Sequence, residues 1–241
     1  MSTKIASALR LFAAASIALS TASCWGYESY RYKLTLAVNT PEGVKRASSV
    51  VEVMYADIWL PERGTMHKLR GEALYVDLGP GRRPLIALLT CDLHPLDKSQ
   101  RRWTRDAGPG DNLLSELYGP ALPNLLEDAK RLSRVRGARR ITPSDLPDLV
   151  TFADINDPKS VIEVDPTDLA AVLGPDISWN ELTLAMTDEP ITTGIESKLP
   201  WIPAYEVGML DGDPIRIYSE TSLANKLSVA NFYESVEIKL K

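Results

Sequence analysis

Two histidines and two cysteines are the whole supply of imidazole and thiol in this chain of 241 residues, so metal and nucleophile chemistry has few places to sit. Cys91-Asp92-Leu93-His94, with His67 upstream, is the nearest approach to a metal-binding set. A zinc centre takes several such ligands at close spacing, and no second pair is present. The expectation is a packed thiol and surface histidines, with no metal and no other cofactor. Hydrolytic signatures are missing as well: no Gly-x-Ser-x-Gly, Ser-x-x-Lys or His-Glu-x-x-His pattern occurs, so no catalytic residue is assigned. Oxygen ligands are more plentiful. Asp154, Asn156, Asp157 and Glu163 crowd one segment, and Asp211 and Asp213 flank Gly212 in another. The alternating order of a calcium loop is absent, and Asp-Pro and Asp-Gly pairs are ordinary turn chemistry.

Two features suit recognition better than catalysis. Lys130, Arg131, Arg134, Arg136, Arg139 and Arg140 form a basic cluster suited to an anionic partner such as lipid headgroups, or to a solvated helix face with cations near its C-terminus. Trp201, framed by Pro200 and Pro203, is either a rigid recognition aromatic or a core residue, and core packing is the commoner fate of such a ring.

The N-terminus gives an address. Lys4 and Arg10 precede a short apolar stretch at residues 11–19, then small residues, then Cys24. That order is a bacterial-type secretory signal over residues 1–23, too short to span a bilayer. Ala22 and Ser23 suit cleavage before a lipid-modified Cys24, although Thr21 stands where Leu is preferred. The alternative is ordinary cleavage after Ala22 or Ser23, which would leave Cys24 able to form a disulfide with Cys91 in an oxidising envelope.

Loss of the leader removes Lys4 and Arg10 and takes the net charge from −5 to −7, which argues against nucleic acid as a partner. The remaining length supports one sizeable domain, in parts covering residues 24–91 and 92–241. Residues 30–38 alternate apolar and polar, Thr40-Pro41-Glu42-Gly43 is a turn, and residues 44–55 continue as a second strand. A third strand is expected over residues 66–78 and a fourth, buried on both faces, over 84–90, all four forming an antiparallel meander. Residues 92–111 read as a long polar loop or lid. Asp111 caps a helix through Leu117, and an amphipathic helix covers residues 122–136 with Pro123 in its first turn. The second half adds a strand at 149–152, a helix opened by Asp165, and a strand at 178–187 whose phase slips near Glu181. A helix at 191–199, a strand at 215–218 and a helix at 223–236 complete it. The class is α+β: an N-terminal meander, central helices and a small α+β second half.

Residues 30–55 (YRYKLTLAVNTPEGVKRASSVVEVMY), 71–89 (GEALYVDLGPGRRPLIALL) and 151–200, with Asp-Pro-Lys-Ser and Thr-Thr-Gly-Ile-Glu, resemble a group of alphaproteobacterial hypothetical envelope proteins. The resemblance implies a lipoprotein-like start and brings no activity, cofactor or catalytic residue. The expectation is an exported, non-enzymatic binding or scaffolding lipoprotein, held at the membrane surface through Cys24 and working with an envelope protein partner. Its competitor is a soluble periplasmic hydrolase using a carboxylate pair beneath the 92–111 lid.

Overall fold

The computed structural model describes residues 26–57, 65–91, 93, 102–104, 108–205, 207–217 and 222–234. Ten strands and four helices among them make a mixed α+β fold with two antiparallel sheets. β1 (Tyr27–Thr40) and β2 (Gly43–Asp57) form a long hairpin about the Pro41-Glu42 turn, and β3 (Thr65–Glu72) adds to β2. The period-two pattern builds this sheet. Tyr30, Tyr32, Leu34, Leu36 and Val38 point to one buried face, opposite Val51 and Val53, while Arg31 and Lys33 point to the other.

The expected third strand is interrupted. The chain leaves the first sheet after Glu72 and enters a second at β4 (Leu74–Val76), which pairs with β5 (Leu85–Ala87). Three strands of the meander therefore share a sheet, and the fourth belongs to its neighbour. β5 is buried on both faces as expected, with Leu85 and Ala87 in one core cluster and Ile86 in another. α1 (Asp111–Tyr118) and α2 (Leu125–Leu132) cover the apolar face of the first sheet. Gly110 is the N-cap of α1, so Asp111 stands inside the first turn rather than capping it. α2 is shorter than expected. Asn124 caps it by accepting from the amides of Leu126 and Glu127 at 2.9 and 3.1 Å, which places Pro123 ahead of the helix.

β6 (Ala138–Arg140) follows as an unforeseen edge strand, then β7 (Leu149–Phe152) and β8 (Val161–Val164) complete the second sheet. Asp165 accepts from the Thr167 amide in a turn, and the short helix α3 (Ala170–Leu173) begins only beyond it. β9 (Ser178–Met186) pairs with β1 through a bulge: Ala37 faces Glu181 and Val38 faces Trp179, so Asn180 is the extra residue. This bulge is the physical form of the phase slip near Glu181.

Beyond β9 the fold departs further from expectation. Residues 191–199 hold only a 3-10 turn at Ile195–Ser197, because Gly194 takes φ of +110° and Thr192 is drawn into hydrogen bonds with β2. Residues 215–217 form no strand, and Tyr218 lies outside the described residues. In place of a helix at 223–236 stand α4 (Leu223–Lys226), a 3-10 turn and β10 (Tyr233–Glu234), a two-residue edge strand on β3. Asn225 is fully buried, and its side chain accepts from the Ile217 amide and donates to Asp211 at 2.7 Å. Asn231 donates to Thr90 Oγ1 and accepts from the Ser228 amide, both at 2.7 Å. Such side-chain bonds compete with helix continuation.

The core has two parts. One lies between the first sheet, the helices and one face of the second sheet. The other packs the second sheet's far face, including Ile86, Val150 and Phe152, against Leu199, Trp201, Leu210, Leu227 and Phe232.

Gly71 makes the sheet change possible. Its φ is +150°, and a Cβ there would meet Val51 Cα at 3.1 Å and the Val50 carbonyl oxygen at 3.2 Å. Gly71→Ala is expected to destabilise the fold by about 1–3 kcal/mol, read as a lower urea midpoint. An unchanged midpoint would show that the backbone relaxes freely here.

Candidate functional site

The polar face of the first sheet carries a transverse charge row. Register places Arg31 on β1 opposite Glu52 on β2, and Glu52 opposite Arg70 on β3. Glu52 is 6% exposed. Arg31 Nε donates to Glu52 Oε1 at 3.2 Å, Ser29 Oγ donates to the same oxygen at 3.3 Å, and Arg70 Nη1 stands 3.7 Å from Oε2. Arg31 also donates from Nη1 to the Glu189 carbonyl at 3.3 Å.

A groove of about 470 Å³ opens over this row. Its wall is the segment following β9: Thr192 N–H donates to the Val50 carbonyl at 3.1 Å, and the Val50 amide donates to Thr192 Oγ1 at 2.8 Å. Thr192 thus takes up the edge of β2 that β3 leaves at Gly71. Pro190, Ile191, Tyr233, Glu72 and Glu234 complete its lining. Glu72 is 4% exposed, and its two carboxylate oxygens accept from the amides of Gly194 and Ile195, each at 2.8 Å. Burial raises its pKa above the ordinary glutamate value, and the two amides only partly offset this.

The basic cluster resolves into different roles. Arg131 donates from Nε to Asp128 at 2.7 Å and from Nη1 to the Tyr118 carbonyl at 3.0 Å, so it fastens α2 to the end of α1. Lys130 lies 3.7 Å from Glu28 on β1, and Arg136 pairs with Asp188. Arg139 stacks over the Tyr118 ring at 5.8 Å. Arg134, Arg139 and Arg140 are exposed and have no acidic partner within ion-pair distance among the described residues.

Trp201 is 5% exposed and packs against Phe152, Tyr205 and Phe232, with ring centroids 5.3–6.2 Å apart. It is a core residue, and its ring is not presented to a partner. Cys91 is half-buried, with Sγ 3.3 Å from Asp148 Oδ1. His67 packs beside Tyr55, whereas His94 and Cys24 lie outside the described residues, as do residues 1–23 and therefore the Cys24–Cys91 pairing. No group of three or more His, Cys, Asp or Glu among the described residues is placed to hold a metal. Asp211 and Asp213 converge on Asn225 Nδ2 at 2.7 and 3.2 Å. Asp154 and Asp157 cap turns by accepting from the amides of Asn156 and Lys159.

The described part of the expected 92–111 lid is anchored to the body. Trp103 is 1% exposed, and its Nε1 donates to the Leu89 carbonyl at 3.0 Å. Arg102 donates to Asp145 at 2.7 Å. Burial alone would push the Asp145 carboxyl up, but hydrogen bonds from the Thr142 amide and hydroxyl and from Arg102 outweigh it and hold the group below its usual value. No helix among the described residues is long and apolar enough to cross a membrane. Compared with known protein families, curated proteins and solved structures, the chain matches none.

Two predictions follow from these placements. Trp201→Ala is expected to cost about 3–5 kcal/mol of stability, measured by chemical unfolding, because it empties the second core. A midpoint within error of wild type would contradict core packing. Asp145→Asn is expected to cost about 1–3 kcal/mol at neutral pH. Since the folded pKa lies below the unfolded value of 3.8, that contribution is complete above 3.8 and is lost as pH falls through the folded value. Unfolding curves of the two proteins should therefore converge in acid; a constant gap would sink the assignment.

Proposed function

We propose that this is an exported envelope protein, lipid-anchored through Cys24, with a non-enzymatic binding or scaffolding role at a membrane surface. The supporting observation is that Lys130 of the basic cluster reaches the start of β1, the strand that follows the anchor position in the chain. Cys24 stands three residues before Tyr27, the first residue of β1, so the chain between them spans at most about 11 Å. Lys130 on α2 reaches Glu28, the second residue of that strand. Arg134 follows α2, and Arg139 and Arg140 sit on β6, which pairs with the C-terminal half of β9. A lipid on Cys24 would hold the start of β1 and the end of α2 near the bilayer, where Lys130 and the exposed Arg134 can meet anionic headgroups. Acyl chains and basic residues are complementary membrane signals, the cations contributing about 1 kcal/mol each near an anionic surface.

The test is the intact mass of the protein from its native envelope, together with the fractionation of Cys24→Ser. A chain starting at Cys24 with diacylglycerol and acyl additions is expected, and the serine variant should leave the membrane fraction. A bare chain starting at Ser23 or Cys24 would overturn the anchor. In the serine variant, changing Arg134, Arg139 or Arg140 to Gln should weaken binding to phosphatidylglycerol vesicles by about fivefold each. Equal binding to neutral vesicles would remove the basic cluster from the reading.

A further inference from the structure

We infer that the groove over the Arg31–Glu52–Arg70 row is a binding site for a small anion, a carboxylate or phosphate group on a partly apolar molecule. The reasoning is independent of the lipid anchor and starts from the two arginines. Glu52 is one buried carboxylate between two guanidinium groups, so the row keeps one positive charge in excess. Arg31 is the better satisfied, with bonds to Glu52 and to the Glu189 carbonyl. Arg70 is not. Its closest acid contact is 3.7 Å, beyond hydrogen-bond length, and it donates no hydrogen bond among the described residues. Its side chain is 44% exposed, and it lines the groove beside Arg31. A planar fork of five donors beside a cavity, held by one loose ion pair and with no hydrogen bond to the described residues, is suited to a carboxylate or phosphate taken side-on.

The rest of the groove limits what such a ligand can be. Its volume of about 470 Å³ falls in the range of small-molecule sites. Pro190, Ile191 and Tyr233 supply apolar contact, and Thr192 and Thr193 supply hydroxyl groups. Glu72 and Glu234 also line it. Glu72 is bonded to two backbone amides, yet its charge, with that of Glu234, would repel a polyanion. The ligand class is therefore one anionic group on a small, partly apolar body, which excludes nucleic acid or another densely charged polymer.

Benzoate and phenyl phosphate are the probes, titrated into the isotopically labelled full chain and followed by amide NMR. Saturable shifts are expected at Gly71, Thr192 and Thr193, with affinity falling about tenfold in Arg70→Gln. Lys68→Gln, on the same strand and outside the groove lining, should leave affinity unchanged. Ile191→Glu, which adds a carboxylate to the groove lining, should abolish binding and serves as the test if Arg70→Gln perturbs the fold. Response to benzoate alone makes the ligand a carboxylate, response to phenyl phosphate alone makes it a phosphate, and response to both supports the shared site. No saturable shift with either probe, or equal affinity in Arg70→Gln and Ile191→Glu, overturns the proposal. Because the readout needs no membrane, its failure is distinguishable from failure of the lipid anchor.

Discussion

The fold turns on three residues, Gly71, Glu72 and Ala73, where the chain passes from one sheet to the other. Gly71 lies against the backbone of β2 with no room for a side chain. The Glu72 carbonyl accepts from Ser49 Oγ at 2.6 Å in a buried setting. Its carboxylate accepts from Gly194 and Ile195, which stand 122 and 123 residues further along the chain. The Ala73 amide donates to the Phe232 carbonyl at 2.8 Å. A carboxylate this deeply buried is costly unless bonded, and here the bonds come from the amides that open a 3-10 turn, which need acceptors of their own. Each side of the contact therefore satisfies the other, and the segment after β9 is fixed in place by it.

The groove follows from that contact. β3 must leave β2 for the second sheet to form, and its departure bares the backbone of Val50. Thr192 satisfies both polar groups of Val50, so residues 190–193 stand as a wall beside β2 instead of running along it as a further strand. The charge row then lies on a floor between that wall and the short β10. On the same face Lys33 is matched with Glu189 and Arg46 with Glu181. Exposed pairs of this kind contribute little to stability. The row of two cations about one buried anion differs from them in leaving a guanidinium in excess.

The legible parts of this fold were those where solvent and core lie on opposite sides of one element. β1 and β2 declared themselves through alternation, and the slip near Glu181 marked a real bulge. The change of sheet after Glu72 left no such mark, because Leu69, Leu74, Val76 and Leu78 all reach the same core from either sheet. Trp103 was hidden as a single ring in a polar stretch, although it is among the largest fully buried side chains. Asn225 and Asn231 fall within the stretch expected as a helix and are interior ties, since a buried amide looks like an exposed one until its partners are known. The charge row was half accessible. With the turn at Pro41-Glu42, hairpin register alone sets Arg31 opposite Glu52. The pairing of Glu52 with Arg70 spans residues 58–64, whose length does not dictate register, so the second arginine could be found only in three dimensions.

The groove and the cations of α2 lie on opposite faces of the first sheet. α2, which carries Lys130 and Arg131, packs on the face built from Tyr30, Tyr32 and Leu34, while Arg31 faces the other way. Arg31 is four residues along β1 from Tyr27, a rise of about 13 Å. A chain tethered at Cys24 would thus keep its groove within a short distance of the bilayer, with the cations of α2 on one face of the sheet and the groove open on the other. The acids beside Arg70 would disfavour a densely charged surface there, leaving that arginine to select single anionic groups from solution or from a partner's chain.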